Sequence, residues 1–207
     1  MQSPAAILPR LWRWLVRFRH RRGYGIHSPF AFSFVTDVIY ERGEYYAYAP
    51  LNTIRPGCGK RHLLRRRDLR LLFRIANASG AQEVLLAAHD AQRVKQYVAA
   101  ARPRARLHTA APDSGALRDA LHNLRGIHLA YAEAEALDRS TAELLLVAAE
   151  PNAYIVLHGI HRNAASRKAW DNLRADSRTR VTFDLHDFGI ACLEARLNKE
   201  DYIINYF

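Results

Sequence analysis

Two histidines stand where chains of alternating strands and helices usually carry their chemistry. His158 ends a predicted strand, and His161 follows three residues later, across Gly159. In open α/β sheets, ligands bind at the carboxyl ends of the strands, so the pair could bind a metal ion or act as a general base. No carboxylate lies near the pair in sequence, and metal sites usually show more ligands. We therefore predict no metal site and favour a structural role for both histidines.

His27 is a third candidate for a chemical role. It precedes Ser28 and Pro29, a pair typical of a helix N-cap followed by the first helical position. The imidazole could orient a substrate or cap the following helix. We favour the structural role here too, so the catalytic residues remain undetermined, with His158, His161 and His27 as candidates.

The composition is that of an ordinary globular chain. Its 207 residues are 49% hydrophobic and 25% charged, which is enough for one sizeable core. No run approaches the roughly 18 apolar residues that would span a bilayer, and no secretory signal is recognisable. The two cysteines, Cys58 and Cys192, stand far apart. We therefore expect no disulfide framework and a cytoplasmic protein.

The positive charge is confined to the first third of the chain. The net charge is +11. Residues 1–74 carry fifteen basic and four acidic residues, whereas the rest of the chain carries sixteen of each. A basic segment on a neutral body predicts an anionic partner, which could be nucleic acid, a phospholipid surface or an acidic protein. Of the 31 basic residues 27 are arginines, and we favour codon usage in a GC-rich genome over phosphate binding as the cause of that bias.

Two predicted amphipathic helices carry most of these arginines. Residues 5–22 place leucines and tryptophans on one side and arginines on another. Such a helix suits the inner face of a membrane, or it packs its apolar stripe on the body, which we favour. The second helix spans residues 63–78. The arginines predicted to meet an anionic partner are Arg10, Arg13, Arg17, Arg21, Arg65, Arg66, Arg67 and Arg70.

The chain divides into a basic helical segment, 1–78, expected to pack on the body, and an α/β domain, 79–207. After residue 80 short apolar runs alternate with helical periods, which predicts βαβ units on a mostly parallel sheet. The chain closes on an antiparallel hairpin around the turn at 186–188. The predicted strands are 82–88, 106–110, 127–132, 154–158, 181–185, 189–194 and 202–206, and the predicted helices are 29–42, 63–78, 91–101, 113–124, 137–149 and 164–174.

Several segments resemble a family of small bacterial class I SAM-dependent methyltransferase-like proteins. These proteins open with a basic aromatic helix and a G-x-H-S-P-F segment, which here is GIHSPF at 25–30. The stretch LLFRIANASGAQEVLL at 71–86 is similar to that family's lead-in helix and first strand. Gly159-Ile160-His161 and FDLHDFGIACL at 183–193 match its end. The resemblance implies a Rossmann-like class I methyltransferase fold.

The chain departs from this family where the cofactor should bind. Such methyltransferases end their first strand with an acidic residue and a glycine-rich turn, which lets the backbone approach the cofactor closely. Here that turn reads His89-Asp90-Ala91-Gln92 and contains no glycine. The second strand, which should end in an acid, ends in Ala110, and the nearest acid is Asp113.

Two further anchors and one βα unit are also missing. Only one helix separates the second predicted strand from the third, so a helix and strand of the family plan are absent. The third predicted strand ends Ala130-Tyr131-Ala132-Glu133 in place of an acidic pair, and the fourth presents Leu157 and His158. His89, Asp90 and Glu133 therefore mark a degenerate cofactor position. We expect no cofactor, or S-adenosylmethionine if the site still functions.

Three functions remain open from the sequence. The first is a divergent, non-catalytic methyltransferase-like protein whose basic N-terminal region binds an anionic partner. The second is an active SAM-dependent methyltransferase acting on a small molecule. The third is a nucleic-acid or membrane-surface binding module, peripheral to the inner face of the membrane if lipid is the partner. Exposed aromatic surface on the first helix would permit a homodimer.

Overall fold

The computed structural model of the protein describes residues 25–55 and 64–206. The predicted helix at 5–22, with Arg10, Arg13, Arg17 and Arg21, lies outside these residues. The helices are α1 (Pro29–Phe34), α2 (Tyr48–Leu51), α3 (Arg66–Ser79), α4 (Ala91–Ala101), α5 (Ser114–Asn123), α6 (Arg139–Ala148) and α7 (Ala164–Ala175). The strands are β1 (Glu83–Ala87), β2 (Arg106–Ala110), β3 (Ile127–Glu133), β4 (Ala149–His158), β5 (Val181–Asp184), β6 (Phe188–Cys192) and β7 (Glu200–Ile203).

The strands form one sheet in the order β2-β1-β3-β4-β6-β5-β7. β6 runs antiparallel to both of its neighbours, and the other pairs are parallel. This confirms the predicted α/β fold with a mostly parallel sheet and a C-terminal antiparallel hairpin. Among the described residues β2 forms the edge of the sheet, and α5 alone connects it to β3, as expected for a missing βα unit.

Helices cover both faces of the sheet because alternate residues of each strand point to opposite sides. On β3, Leu129 and Tyr131 join the apolar cluster beneath α1, α3 and α4. Ala130 and Ala132 face the other cluster, beneath α5, α6 and α7. The described part of the basic segment belongs to the first cluster. Phe34 stacks on Phe183 with ring centroids 5.0 Å apart.

The predicted helix 29–42 is interrupted. Ser28 caps α1 by accepting a hydrogen bond from Ala31 N, as the Ser-Pro pair predicts. After Phe34 the chain continues as a π-helix, Val35–Ile39, and not as an α-helix. Such wide turns are rare and occur mostly as single-turn bulges within α-helices. Here the guanidinium of Arg74 donates to Val38 O and Ile39 O, at 2.6 and 3.1 Å.

Other element boundaries also differ from prediction. The predicted helix 137–149 ends at Ala148, and the strand predicted at 154–158 already begins at Ala149, so Pro151 lies within β4. The pairing of β3 with β4 is irregular here, since the register shifts between Ile127 and Leu129, and proline is tolerated at such irregularities. The last strand is β7, Glu200–Ile203, two residues earlier than predicted. No helix among the described residues is long and apolar enough to cross a membrane.

Candidate functional site

The carboxyl ends of the parallel strands bring several polar side chains to one edge of the sheet. His89 follows β1, Glu133 ends β3 and His158 ends β4. The register pairs Glu133 with His158 across neighbouring strands. This is the edge at which open α/β sheets bind ligands, and we refer to it as the carboxyl edge.

Glu133 is the centre of this edge. Its carboxylate is only 2% exposed. Oε1 accepts a hydrogen bond of 3.0 Å from the main-chain N–H of His89 and lies 2.7 Å from Nδ1 of the same residue. Burial raises the pKa of Glu133, but the hydrogen bonds from His89 and the nearby charges outweigh it and leave the pKa below its ordinary value. The carboxylate is therefore charged and held by the first turn.

Arg162 contacts the other oxygen of the Glu133 carboxylate. Its Nη1 lies 3.3 Å from Oε2 of Glu133 and 3.6 Å from Oε1 of Glu135. Gly159 allows this position because its φ is +77°, and a Cβ there would lie 3.0 Å from the Arg162 guanidinium carbon. The glycine between His158 and His161 thus lets the arginine fold back over the edge.

The rest of the first turn is anchored to the segment before α3. Asp90 is 3% exposed and accepts a hydrogen bond from Leu64 N at 3.4 Å. Arg93 forms an ion pair of 3.3 Å with Asp90 and donates to Leu64 O at 3.1 Å. The acid nearest the end of β2, Asp113, caps α5 by accepting from Ala116 N at 2.9 Å.

His158 is half-buried. It stacks on Phe188 with centroids 5.0 Å apart. Burial and the charge of Arg162 lower the pKa of His158, so the imidazole is neutral at neutral pH. The described residues contain no group of three or more histidine, cysteine or acidic side chains able to hold a metal ion.

His161 has a carboxylate partner that sequence reasoning missed. Its Nε2 lies 2.8 Å from Oδ2 of Asp184, the last residue of β5, and its ring stacks on His186 at 5.3 Å. The partners are 23 positions apart and meet because β6 pairs with both β4 and β5. The FDLH run at the predicted hairpin was the only signal of this pairing. His27 lies apart from it, exposed before α1.

The arginines in and just before α3 that were predicted to contact an anionic partner have different surroundings. Arg65, just before the helix, pairs at 2.7 Å with both Asp68 and Asp187. Arg66 is exposed. Arg67 and Arg70 turn toward a separate pocket, where Arg70 meets Glu44 through two hydrogen bonds of 2.8 and 3.2 Å. Part of the positive charge is thus already paired within the chain.

The fold is similar to those of several solved structures. A methyltransferase from Geobacter sulfurreducens is 14% identical, with a TM-score of 0.52 over 80% of this chain and 95% of that one. A Staphylococcus aureus protein assigned as a caffeoyl-CoA O-methyltransferase is 9% identical, with a TM-score of 0.50 over 90% and 99%. The O-methyltransferase TomG from Streptomyces achromogenes, solved with SAM, is 12% identical, with a TM-score of 0.48 over 77% and 93%.

The chain has the Rossmann-like fold of class I methyltransferases. That conclusion rests on the sheet order and on the two solved structures with TM-scores of 0.52 and 0.50. No protein-family model matches the chain, and no curated protein matches it.

Proposed function

We propose that this protein keeps the methyltransferase fold without its methyl-transfer activity and works by binding an anionic partner through its basic N-terminal region. The observation that supports the first half of this proposal, the loss of methyl-transfer activity, is the set of contacts made by the Glu133 carboxylate. Both of its carboxylate oxygens are engaged, one by His89 and the other by Arg162.

The closed network opposes a cofactor at the carboxyl edge. A ligand lying over β1 would have to displace the His89 ring or break its bond to Glu133. Separating a buried carboxylate from its partners is costly, because the charge is left without compensation. The bonds therefore favour the closed edge over a bound adenosyl group.

Two further features agree with this view. The turn after β1 has no glycine, and its Asp90 is held by Leu64 and Arg93. At the end of β2, Asp113 serves as a helix cap and is not available for a ribose hydroxyl. The residues present therefore do not fit S-adenosylmethionine.

The second half rests on the distribution of charge. The entire net charge of +11 belongs to residues 1–74, and Arg66 of α3 is exposed. Arginine forks bind phosphate and carboxylate groups through paired hydrogen bonds. A basic face on a neutral body is suited to an anionic partner.

Isothermal titration with S-adenosylmethionine and S-adenosylhomocysteine tests the first half. We expect no heat of binding and no rise in melting temperature, since a ligand that binds only the folded state must raise it. Micromolar affinity would overturn the proposal and restore the alternative, an active methyltransferase with an altered pocket.

Binding to a labelled oligonucleotide and to anionic vesicles tests the second half. Affinity for a polyanion should fall steeply between low and moderate salt, because each phosphate contact releases counterions. Flotation with vesicles distinguishes a lipid partner from nucleic acid. Binding that does not respond to salt would contradict an electrostatic partner surface.

A further inference from the structure

A pocket beside α3, whose lining does not include Arg66, is rich in arginine. Its volume is about 290 Å³. Four arginines and one acid contribute to its lining, and the acid, Glu41, already accepts a hydrogen bond from Gly43 N. We call it the arginine pocket; it is lined by Ile39, Tyr40, Glu41, Arg42, Gly43, Tyr48, Arg67, Arg70, Arg74 and Tyr206.

One face of α3 supplies three of the arginines. Arg67, Arg70 and Arg74 stand at helical spacing, so their side chains project to the same side. The guanidinium of Arg67 lies 5.0 Å from the ring centroid of Tyr206, and that of Arg70 lies 4.4 Å from the ring centroid of Tyr48. Stacking fixes the planes of both guanidinium groups in advance of binding.

Arg74 is fixed as well, but by neutral groups. Its bonds to Val38 O and Ile39 O engage main-chain carbonyls, and it makes no ion pair with a carboxylate of the described residues. An arginine that is held by main-chain carbonyls contributes positive potential without losing side-chain entropy when a ligand arrives.

The charge of the pocket is only partly balanced by the chain. Arg70 is paired with the exposed carboxylate of Glu44. The nearest carboxylate to Arg67 is that of Asp68, at 3.6 Å, and Asp68 is engaged more closely by Arg65, at 2.7 Å. Burial and the charge of Arg65 lower the pKa of Arg67. Arg42 is exposed and makes no ion pair with the described residues.

We propose that the arginine pocket binds the phosphate of a small phosphomonoester through Arg42, Arg67 and Arg74, with Tyr48 and Tyr206 against its organic part. Fixed guanidinium forks match the oxygens of a phosphate, which has more acceptors and more charge than a carboxylate. The volume lies at the low end of the range for small-molecule sites, about 300–1,000 Å³, and so excludes a large ligand.

This inference rests on the anionic-partner half of the proposed function and deepens it. It is independent of whether S-adenosylmethionine binds. Inorganic phosphate and glycerol phosphate are the probes, titrated into the full-length chain by calorimetry at constant ionic strength. We expect saturable, one-to-one binding of glycerol phosphate in the micromolar to low millimolar range.

The matched variants are Arg67→Gln and Arg66→Gln, which remove the same charge from neighbouring positions of α3. We expect R67Q to weaken glycerol phosphate binding at least tenfold and R66Q to leave it within twofold. Arg67→Lys should recover only part of the loss, because an ammonium lacks the paired donors of a guanidinium. If R67Q does not fold, the exposed Arg42→Gln, with an expected loss of at least threefold, replaces it.

Equal losses in R67Q and R66Q would overturn the pocket, because they would mean that only the general positive charge matters. The anionic-partner half would then still stand if the oligonucleotide or the vesicles bind. No binding of either phosphate probe by the wild type would also overturn the pocket. An oligonucleotide could instead bind more tightly than glycerol phosphate, with an affinity that R67Q does not weaken. That result would place the partner elsewhere on the basic region and would also overturn the pocket.

Discussion

Gly189 lies directly against the indole ring of Trp170. A Cβ at position 189 would lie 2.6 Å from two ring carbons of that tryptophan, which is 1% exposed. Gly189 is in β6, between β4 and β5, and Trp170 packs from α7 onto the sheet. The strand therefore needs a residue without a side chain for the helix to approach.

Replacing Gly189 by alanine should destabilise the protein. Forcing a methyl group into a packed core typically costs about 1–3 kcal/mol, and neither the strand nor the ring can move freely here. Urea unfolding would measure the loss in free energy of unfolding. In a Trp170→Ala background the same substitution should cost much less, since the clash is gone. An equal cost in both backgrounds would show that the ring is not the obstacle.

Glu133→Gln should also lower the free energy of unfolding. Glutamine keeps the size of the side chain but removes the charge held by His89 and Arg162. We expect a loss of about 1–3 kcal/mol at neutral pH, the usual effect of leaving a buried hydrogen-bonding group unmatched. Glu135→Gln, at the exposed neighbouring acid, is the control and should change stability little.

The stabilisation from Glu133 should depend on pH in one direction. Its folded-state pKa lies below the ordinary value of 4.5, so its contribution is complete well above pH 4.5. The contribution is lost as the pH falls through the folded-state value. The gap in free energy of unfolding between wild type and E133Q should therefore be constant near neutral pH and shrink below about pH 4.5. A gap that widens on acidification would contradict a paired carboxylate.

Asp138 caps α6, and its removal should be costly. Its Oδ1 accepts from Thr141 N and from the hydroxyl of Ser140, both at 2.8 Å, while Thr141 Oγ1 accepts from Asp138 N. These bonds lower the pKa of Asp138 to about 2. D138A should lose about 1 kcal/mol, as typical caps do, and D138N should retain most of it because asparagine also caps helices.

Comparison of D138N with the wild type also separates the contribution of the helix cap to stability from that of the charge. Because the folded-state pKa lies below the ordinary 3.8, the contribution of the charge is present above that value and is lost as the pH falls toward about 2. Wild type should show this acid-dependent loss in urea unfolding, and D138N should lack it. Identical pH profiles for both proteins would rule out an ionised cap.

Cys192 should be chemically inert in the folded protein. The residue is 1% exposed, at the end of β6, and burial raises the pKa of its thiol well above the ordinary value. Only the thiolate reacts. In a Cys58→Ser variant, a disulfide reagent should label Cys192 only as fast as the protein opens. Full reactivity in urea is the control, and immediate labelling of the folded variant would contradict burial.

Local patterns predicted most elements of the α/β domain. The helix Ala91–Ala101 and the strand Arg106–Ala110 coincide with the predicted 91–101 and 106–110. Val94, Tyr97 and Val98 lie at helical spacing, and all three are buried. The π-helix was not predicted from local patterns, and the Arg74 side chain that donates to its carbonyls lies 35 or 36 residues away in the sequence.

The sequence alone determined three features. These are the confinement of positive charge to residues 1–74, the absence of glycine at 89–92 and the order of strands and helices. Only the tertiary structure decided that Glu133 is closed by His89 and Arg162, that Asp184 meets His161, and that Arg67 packs on Tyr206. Composition and periodicity are properties of neighbouring residues and can be read locally. These contacts join residues that the burial of apolar strand and helix faces brings together, and that depends on the whole sheet.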